Sequence, residues 1–256
     1  MDGLSQILAG AGTGLAGGLL SGLFGIGAGI VMVPLLGLAL GLDQHRAQGL
    51  TLAAMLLPNS LPAVLHYRRR GIPIHWRLVG GMMAGFLPGI VAGAWLANRV
   101  PPGPLRWGFA GFLVLLALRT ARMTPAAAEA PGTPPLGGDG SAFATGLIGG
   151  LSAGLLGIGG GVVIIPVLAW RFRMPQHEAQ LQSLVLLLPP MGLPGVLIYA
   201  KAQGGLPWGL LGGIAAGFLA GAYFGARAGT AFSGRILQRA FAGLMLLAAV
   251  LLIFKR

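Results

Sequence analysis

Apolar stretches of about 20 residues, separated by short polar or basic connections, recur along the whole chain, and that is the length a helix needs to cross a hydrocarbon layer of roughly 30 Å. The short alternating strands of a membrane barrel are not seen. The first four segments run from Leu4 to Leu42, Ala47 to Tyr67, Trp76 to Asn98 and Leu105 to Arg119. Four more follow, from Ala142 to Trp170, Ala179 to Ala200, Trp208 to Thr230 and Leu237 to Phe254. Between the two sets, Met123 to Gly140 is rich in proline, alanine and glycine, has no apolar period, and reads as a flexible linker. The expected organisation is a membrane unit over residues 1–122, a linker over 123–140 and a second membrane unit over 141–256.

The two units are one unit used twice. Gly14 to Leu36, GLAGGLLSGLFGIGAGIVMVPLL, returns at an offset of 132 residues as GLIGGLSAGLLGIGGGVVIIPVL, Gly146 to Leu168, with 14 of 23 positions identical. Each copy is too apolar for a surface loop and too rich in glycine for one unbroken helix, where each glycine costs about 1 kcal/mol relative to alanine. The pattern predicts two helical legs joined by a tight glycine turn inside the membrane, centred on Gly25, Gly27 and Gly29 in the first copy and on Gly157, Gly159, Gly160 and Gly161 in the second. Matching continues with Ala47 and Gln48 against Ala179 and Gln180, Thr51 against Ser183, Pro58 against Pro190, and Tyr67 against Tyr199. The segments beginning at Trp76 and Trp208 carry glycine at every fourth residue, which clears one helix face for a neighbouring backbone.

Orientation follows from where the basic residues fall. If each hairpin returns to the side it entered from, the repeats are inverted, and Arg68, Arg69, Arg70, Arg77, Arg119, Arg122, Arg171, Arg173, Arg227, Arg235 and Arg239 share one side, eleven of the 17 basic residues. A parallel arrangement divides the same residues nine to eight. Only the first obeys the rule that arginine and lysine collect on the cytoplasmic side. The fold expected is thus an all-α polytopic membrane protein of two inverted repeats. Each repeat is a glycine-hinged, broken or re-entrant hairpin followed by three transmembrane helices, with both termini outside the cytoplasm.

Composition agrees. Hydrophobic residues make up 55% of 256 and charged residues 9%, against about 25% charged in a typical soluble domain. The net charge of +12 invites a nucleic-acid reading, but no basic run is interleaved with aromatics, so short membrane loops account for it and no nucleic-acid partner is expected. The opening MDGLSQ has no positive residue ahead of its apolar stretch, so no cleaved signal peptide is expected. With no cysteine, thiolate chemistry and disulfides are excluded. No HExxH zinc motif occurs, and GIGGG lacks the following Lys and Ser/Thr of a phosphate-binding loop. The four residues GLSA at Gly150 match the short motif of intramembrane serine proteases, yet every histidine lies at a segment end, away from Ser152. Neither catalysis, a cofactor nor a metal is expected.

Inverted repeats with broken helices are the architecture of secondary transporters, whose substrate sits where half-helices meet near the midplane. A glycine turn that opens a new helix offers unpaired backbone N–H groups and the positive end of a helix dipole, which together suit a small anion. Gln48 and Thr51 share a helix face, as do Gln180 and Ser183, so these four are candidates to stand beside the turns. His45 and His177 come at helix starts, and Pro58, Asn59 and Pro190 mark kinks, so these five are candidate gating positions. The same polar residues read equally as helix-to-helix glue, and the glycines as packing residues.

In GIGAGIVMVPLL with DQHRAQGLT, in GIGGGVVIIPVL with PQHEAQLQS, and in the basic tail LHYRRRGIPIHWRL, the chain resembles the sulfite exporter TauE/SafE family of membrane transporters. The resemblance covers all but the linker. It implies transport of a sulfur-containing oxyanion such as sulfite, a sulfonate or sulfoacetate across the cytoplasmic (inner) membrane, usually outward. The family's GTS-like triplet after the first hairpin reads Gly49, Leu50 and Thr51 here, and Leu181, Gln182 and Ser183 in the second copy, so the exact anion stays open. The expected partners are a small anionic substrate, the lipid bilayer and a coupling ion, proton or sodium, that the sequence does not specify. A passive anion channel and a non-transporting membrane scaffold are the alternatives.

Overall fold

The computed structural model describes residues 3–24, 29–56, 60–122, 138–229 and 231–254. Among these the chain forms twelve helices and no strand. In the first half they are α1 (Gly3–Phe24), α2 (Gly29–Ala39), α3 (Gln44–Ala54), α4 (Leu61–Arg69), α5 (Trp76–Ala97) and α6 (Pro102–Arg122). The second half contributes α7 (Asp139–Leu156), α8 (Gly161–Arg171), α9 (Gln176–Leu186), α10 (Leu193–Gln203), α11 (Trp208–Gly229) and α12 (Gly234–Phe254). Helices α1, α5 and α11 are long and apolar enough to cross a membrane. Leucines and phenylalanines such as Leu8, Leu115, Leu197 and Phe224 face outward, as a surface in contact with lipid requires. All five tryptophans are exposed and lie near helix ends, as interface anchors do.

The long helices are joined by backbone contact. In α1, Gly10, Gly14, Gly18 and Gly22 lie on Leu210, Ile214, Phe218 and Ala222 of α11. In return, Gly213, Gly217, Gly221, Gly225 and Gly229 of α11 lie on Ile7, Ala11, Leu15, Leu19 and Leu23. Both series rise together in steps of four, so the two helices run parallel. Helices α5 and α7 repeat the arrangement, with Gly85, Gly89 and Gly93 on Phe143, Leu147 and Leu151, and Gly146, Gly150 and Gly154 on Met82, Phe86 and Ile90. The first helix of each half therefore packs against the third segment of the other half. Helix α6 packs on α12, again across the halves.

The second expected segment of each half departs from a single spanning helix. Ala47 to Tyr67 is divided into α3 and α4, and Ala179 to Ala200 into α9 and α10. In the second half the break covers Leu187 to Gly192, where Pro189 and Pro190 supply no N–H to continue the helix. Pro58 and Asn59 lie outside the described residues, as do Gly25, Gly27 and residues 123–137 of the linker. Helix α7 already begins at Asp139, inside the stretch expected to be linker. There Asp139 pairs with Arg77 of α5 at 2.7 Å, an exposed contact that contributes little to stability.

The glycine contacts generate a contrast. A Cβ on Gly14 would lie 2.1 Å from the Ile214 carbonyl oxygen, whereas one on Gly243 would meet nothing within 4 Å. Gly14→Ala should lower stability by about 1–3 kcal/mol through overpacking. Gly243→Ala should be neutral or stabilising by up to about 1 kcal/mol. Thermal unfolding of the purified variants in detergent checks both.

Candidate functional site

Three residues between α7 and α8 have positive φ: Gly157 (71°), Gly159 (74°) and Gly160 (74°), a region that side chains with a Cβ avoid. Gly157 ends α7 with its N–H on the Ala153 carbonyl at 2.8 Å, and Gly160 caps the start of α8. Within the turn, the N–H of Gly161 donates to Gly159 O, and those of Val163 and Ile164 donate to Gly160 O. The N–H groups of Ile158, Gly159, Gly160 and Val162 make no such backbone bond among the described residues. The turn is buried throughout, and α8 extends from it for only about 16 Å.

Gln48 sits against this second turn, although it belongs to the first half. A Cβ on Gly157 would come 2.7 Å from Gln48 Cα, so the glycine is what lets α3 approach. Gln48 Nε2 donates to the Leu155 carbonyl at the end of α7, at 3.2 Å. Its Oε1 accepts from the Tyr199 hydroxyl at 3.0 Å, and the same hydroxyl lies 2.9 Å from Gly154 O. The other half shows the reciprocal set. Gln180 Nε2 donates to the Phe24 carbonyl, the last described residue before the first turn, at 2.8 Å. Gln180 Oε1 accepts from the Tyr67 hydroxyl at 2.9 Å. His45 stacks near Tyr199 at 6.5 Å between ring centroids, and His177 near Tyr67 at 6.1 Å. His177 Nδ1 also lies 3.3 Å from Gln180 Oε1.

Each glutamine thus bonds one of the four carbonyls left over at a helix end, which in an apolar interior cost several kcal/mol if unpaired. Gln48, Thr51, Gln180 and Ser183 are all fully buried. Thr51 returns its hydroxyl to Ala47 O at 2.7 Å. The Ser183 hydroxyl has no hydrogen-bond partner among the described residues. Gly29 and Gly161 open α2 and α8, while Pro190 lies in the break before α10 and its carbonyl accepts from Leu193 N at 3.0 Å. The structure brings Gln48 to the second turn and Gln180 to the end of α1, crossing the halves.

Sequence reasoning left Tyr67 and Tyr199 out of the site, though their identity at the repeat offset was a usable signal. It also missed a second polar cluster. Glu178 of α9, only 3% exposed, contacts His75 Nε2. Gln182 of α9 accepts from His75 N at 3.0 Å and donates to Pro73 O at 2.9 Å. Together they hold the 70–75 connection onto α9.

No curated protein matches the chain. The family model described as "Sulfite exporter TauE/SafE" matches residues 9–252, nearly the whole of both halves, including the glycine turn and the crossed glutamines. The chain is a multi-pass membrane protein that belongs to the sulfite exporter TauE/SafE family, a non-catalytic family of small-anion transporters.

Proposed function

We propose that the protein is a secondary transporter that moves a small sulfur oxyanion, of the sulfite, sulfonate or sulfoacetate type, outward across the cytoplasmic membrane by alternating access. The two halves act as inverted repeats, each with a glycine-hinged re-entrant hairpin, α1–α2 and α7–α8. The anion is held by the turns at Gly25 to Gly29 and Gly157 to Gly161, with Gln48, Thr51, Gln180 and Ser183 beside them. The observation that carries this reading is the crossed pair of glutamine clamps. Each half grips the broken-helix end of the other, so movement of one half against its partner is transmitted to the ends of α1 and α7.

Several features support the inverted arrangement. Leu40 and Leu42, after α2, share one cavity with Gln6 near the start of α1, as expected if the hairpin returns to its side of entry. Helix α3 starts at that cavity, while α9 starts at His75, beyond the far end of α4. Eleven of 17 basic residues then share the side of α4's end, which is the cytoplasmic side by the positive-inside rule and leaves both termini outside. The buried N–H groups of Ile158, Gly159, Gly160 and Val162 suit a small oxyanion without a buried arginine, which would cost about 2.5–3.5 kcal/mol at the bilayer centre.

Ser183 provides the sharpest test of the site. Removing an unpaired buried hydroxyl should leave the fold unharmed, while loss of a hydrogen bond to a charged ligand costs about 1.5–3 kcal/mol. Ser183→Ala should therefore keep its unfolding temperature and bind the transported anion about tenfold more weakly or worse. Thermal-shift titration with sulfite, thiosulfate, sulfoacetate, taurine and sulfate measures both, and unchanged affinity for every stabilising anion would remove Ser183 from the site. The clamps predict the opposite signature. Tyr67→Phe and Tyr199→Phe should each lower stability by about 1 kcal/mol and slow saturable anion flux in proteoliposomes, and unitary currents in planar bilayers would favour a channel instead.

A further inference from the structure

The 132-residue repeat lets each end of the molecule be compared with its own counterpart. A cavity of about 540 Å³ opens where the 203–207 connection faces the start of α3, lined among others by Leu42, Arg46, Leu50, Gln203 and Pro207. Their counterparts are Met174, Glu178, Gln182, Gly71 and His75. There the same positions are tied together: Glu178 contacts His75, and Gln182 bonds both His75 N and Pro73 O. The Glu178 side chain is 4% exposed and that of Arg46 61%. Met174 is 4% exposed, whereas Leu42 is only half-buried.

The open and closed regions lie at opposite ends of the molecule. Trp208, which starts α11, lines the cavity. Arg227, near the other end of this 22-residue helix, acts electrostatically on His66 together with Arg70, where the latched connection begins. A helix of that length spans about 33 Å.

Chemistry explains why one end closes and the other does not. Leu50 cannot make the two backbone bonds of Gln182, and Pro207 offers neither the ring nitrogen nor the N–H of His75. Arg46 lines the cavity with its side chain largely exposed, and its 3.5 Å contact with Asp43 is exposed and weak. A guanidinium facing a wall of leucines selects an anion that carries an apolar body.

We propose that the cavity is the open mouth of the permeation path and a binding site for organic sulfonates through Arg46, and that His75, Glu178 and Gln182 form the latch that closes the opposite mouth. This rests on the transport reading above. Breaking the latch transfers population toward the conformation open at the other end, because a two-state equilibrium follows whichever contacts one state alone possesses.

The absence of native cysteine makes the test direct. Leu42→Cys and Met174→Cys, made separately, place equivalent thiols at the two mouths. In purified protein in lipid-free detergent, a sulfonate-bearing methanethiosulfonate should label position 42 quickly and position 174 slowly. Adding Glu178→Gln, or independently His75→Ala, should raise labelling at 174 about tenfold and lower it at 42, as the loss of a bond worth about 1.4 kcal/mol would. Benzenesulfonate should slow labelling at 42 and sulfite should not, and Arg46→Gln should abolish that protection. As a variant independent of latch loss, Arg46→Glu with Leu50→Gln and Pro207→His should build the latch at the open mouth and slow labelling at 42.

Rates at 42 and 174 that ignore all three latch changes, in monodisperse protein, would overturn the inference. Protection of position 42 by anionic lipid micelles but not by benzenesulfonate would overturn the ligand assignment. Failure of the wild-type protein to carry any sulfur oxyanion in proteoliposomes would instead overturn the transport reading, so the two failures are distinguishable.

Discussion

Everything in this molecule depends on the absence of side chains between two pairs of long helices. Lipid tails are as apolar as leucine, so helices in a bilayer gain nothing by hiding apolar surface from one another. They associate through close packing and hydrogen bonds. The glycine ladders supply the first by bringing α1 onto α11 and α5 onto α7, backbone against backbone. These contacts tie each half to the other at two places, and the shorter helices α2, α3, α4 and their counterparts are positioned by that frame.

Within the frame, the ends of broken helices pose the harder problem. A helix that stops inside an apolar interior leaves carbonyls that water cannot reach. Gln48 and Gln180 answer this for Leu155 and Phe24, and Tyr199 and Tyr67 hold the glutamines in place. A structural role and a role beside the substrate are compatible here. The Gln48 amide that ties down the end of α7 also stands next to the turn proposed to hold the anion, so the geometry of that turn and the fit between the halves are set by the same atoms.

Much of this was legible in the residues. The doubled glycine-rich segment gave the repeats, the period of four gave the ladders, and the doubled Gln and Thr/Ser positions pointed to the buried polar centre. The crossing between halves was not legible, because two near-identical copies offer each residue two equally good partners and composition does not choose. Gln48 suits the first glycine-rich segment as well as the second, and the contact with Leu155 places it on the second. The His75 and Glu178 cluster was hidden for the opposite reason. The difference in charge between Arg46 and Glu178 is plain in the sequence, but attention to positions that agree between copies passes over His75 against Pro207, which supplies the partner of Glu178. The split of α3 from α4 needed coordinates as well, since a proline inside an apolar run fits a kink as well as a full break.

The register of α1 on α11 also sets an order of assembly. Gly10 meets Leu210, so at about 5–20 residues per second the N-terminal helix waits roughly ten to forty seconds before its partner is synthesised. During that interval it stands in lipid with its glycine face uncovered. Helices α5 and α7 are close neighbours in the chain and can join early. Biogenesis should therefore proceed from the middle outward, with the first helix made among the last to find its place, and a membrane insertase or chaperone has the longest opportunity to act on it.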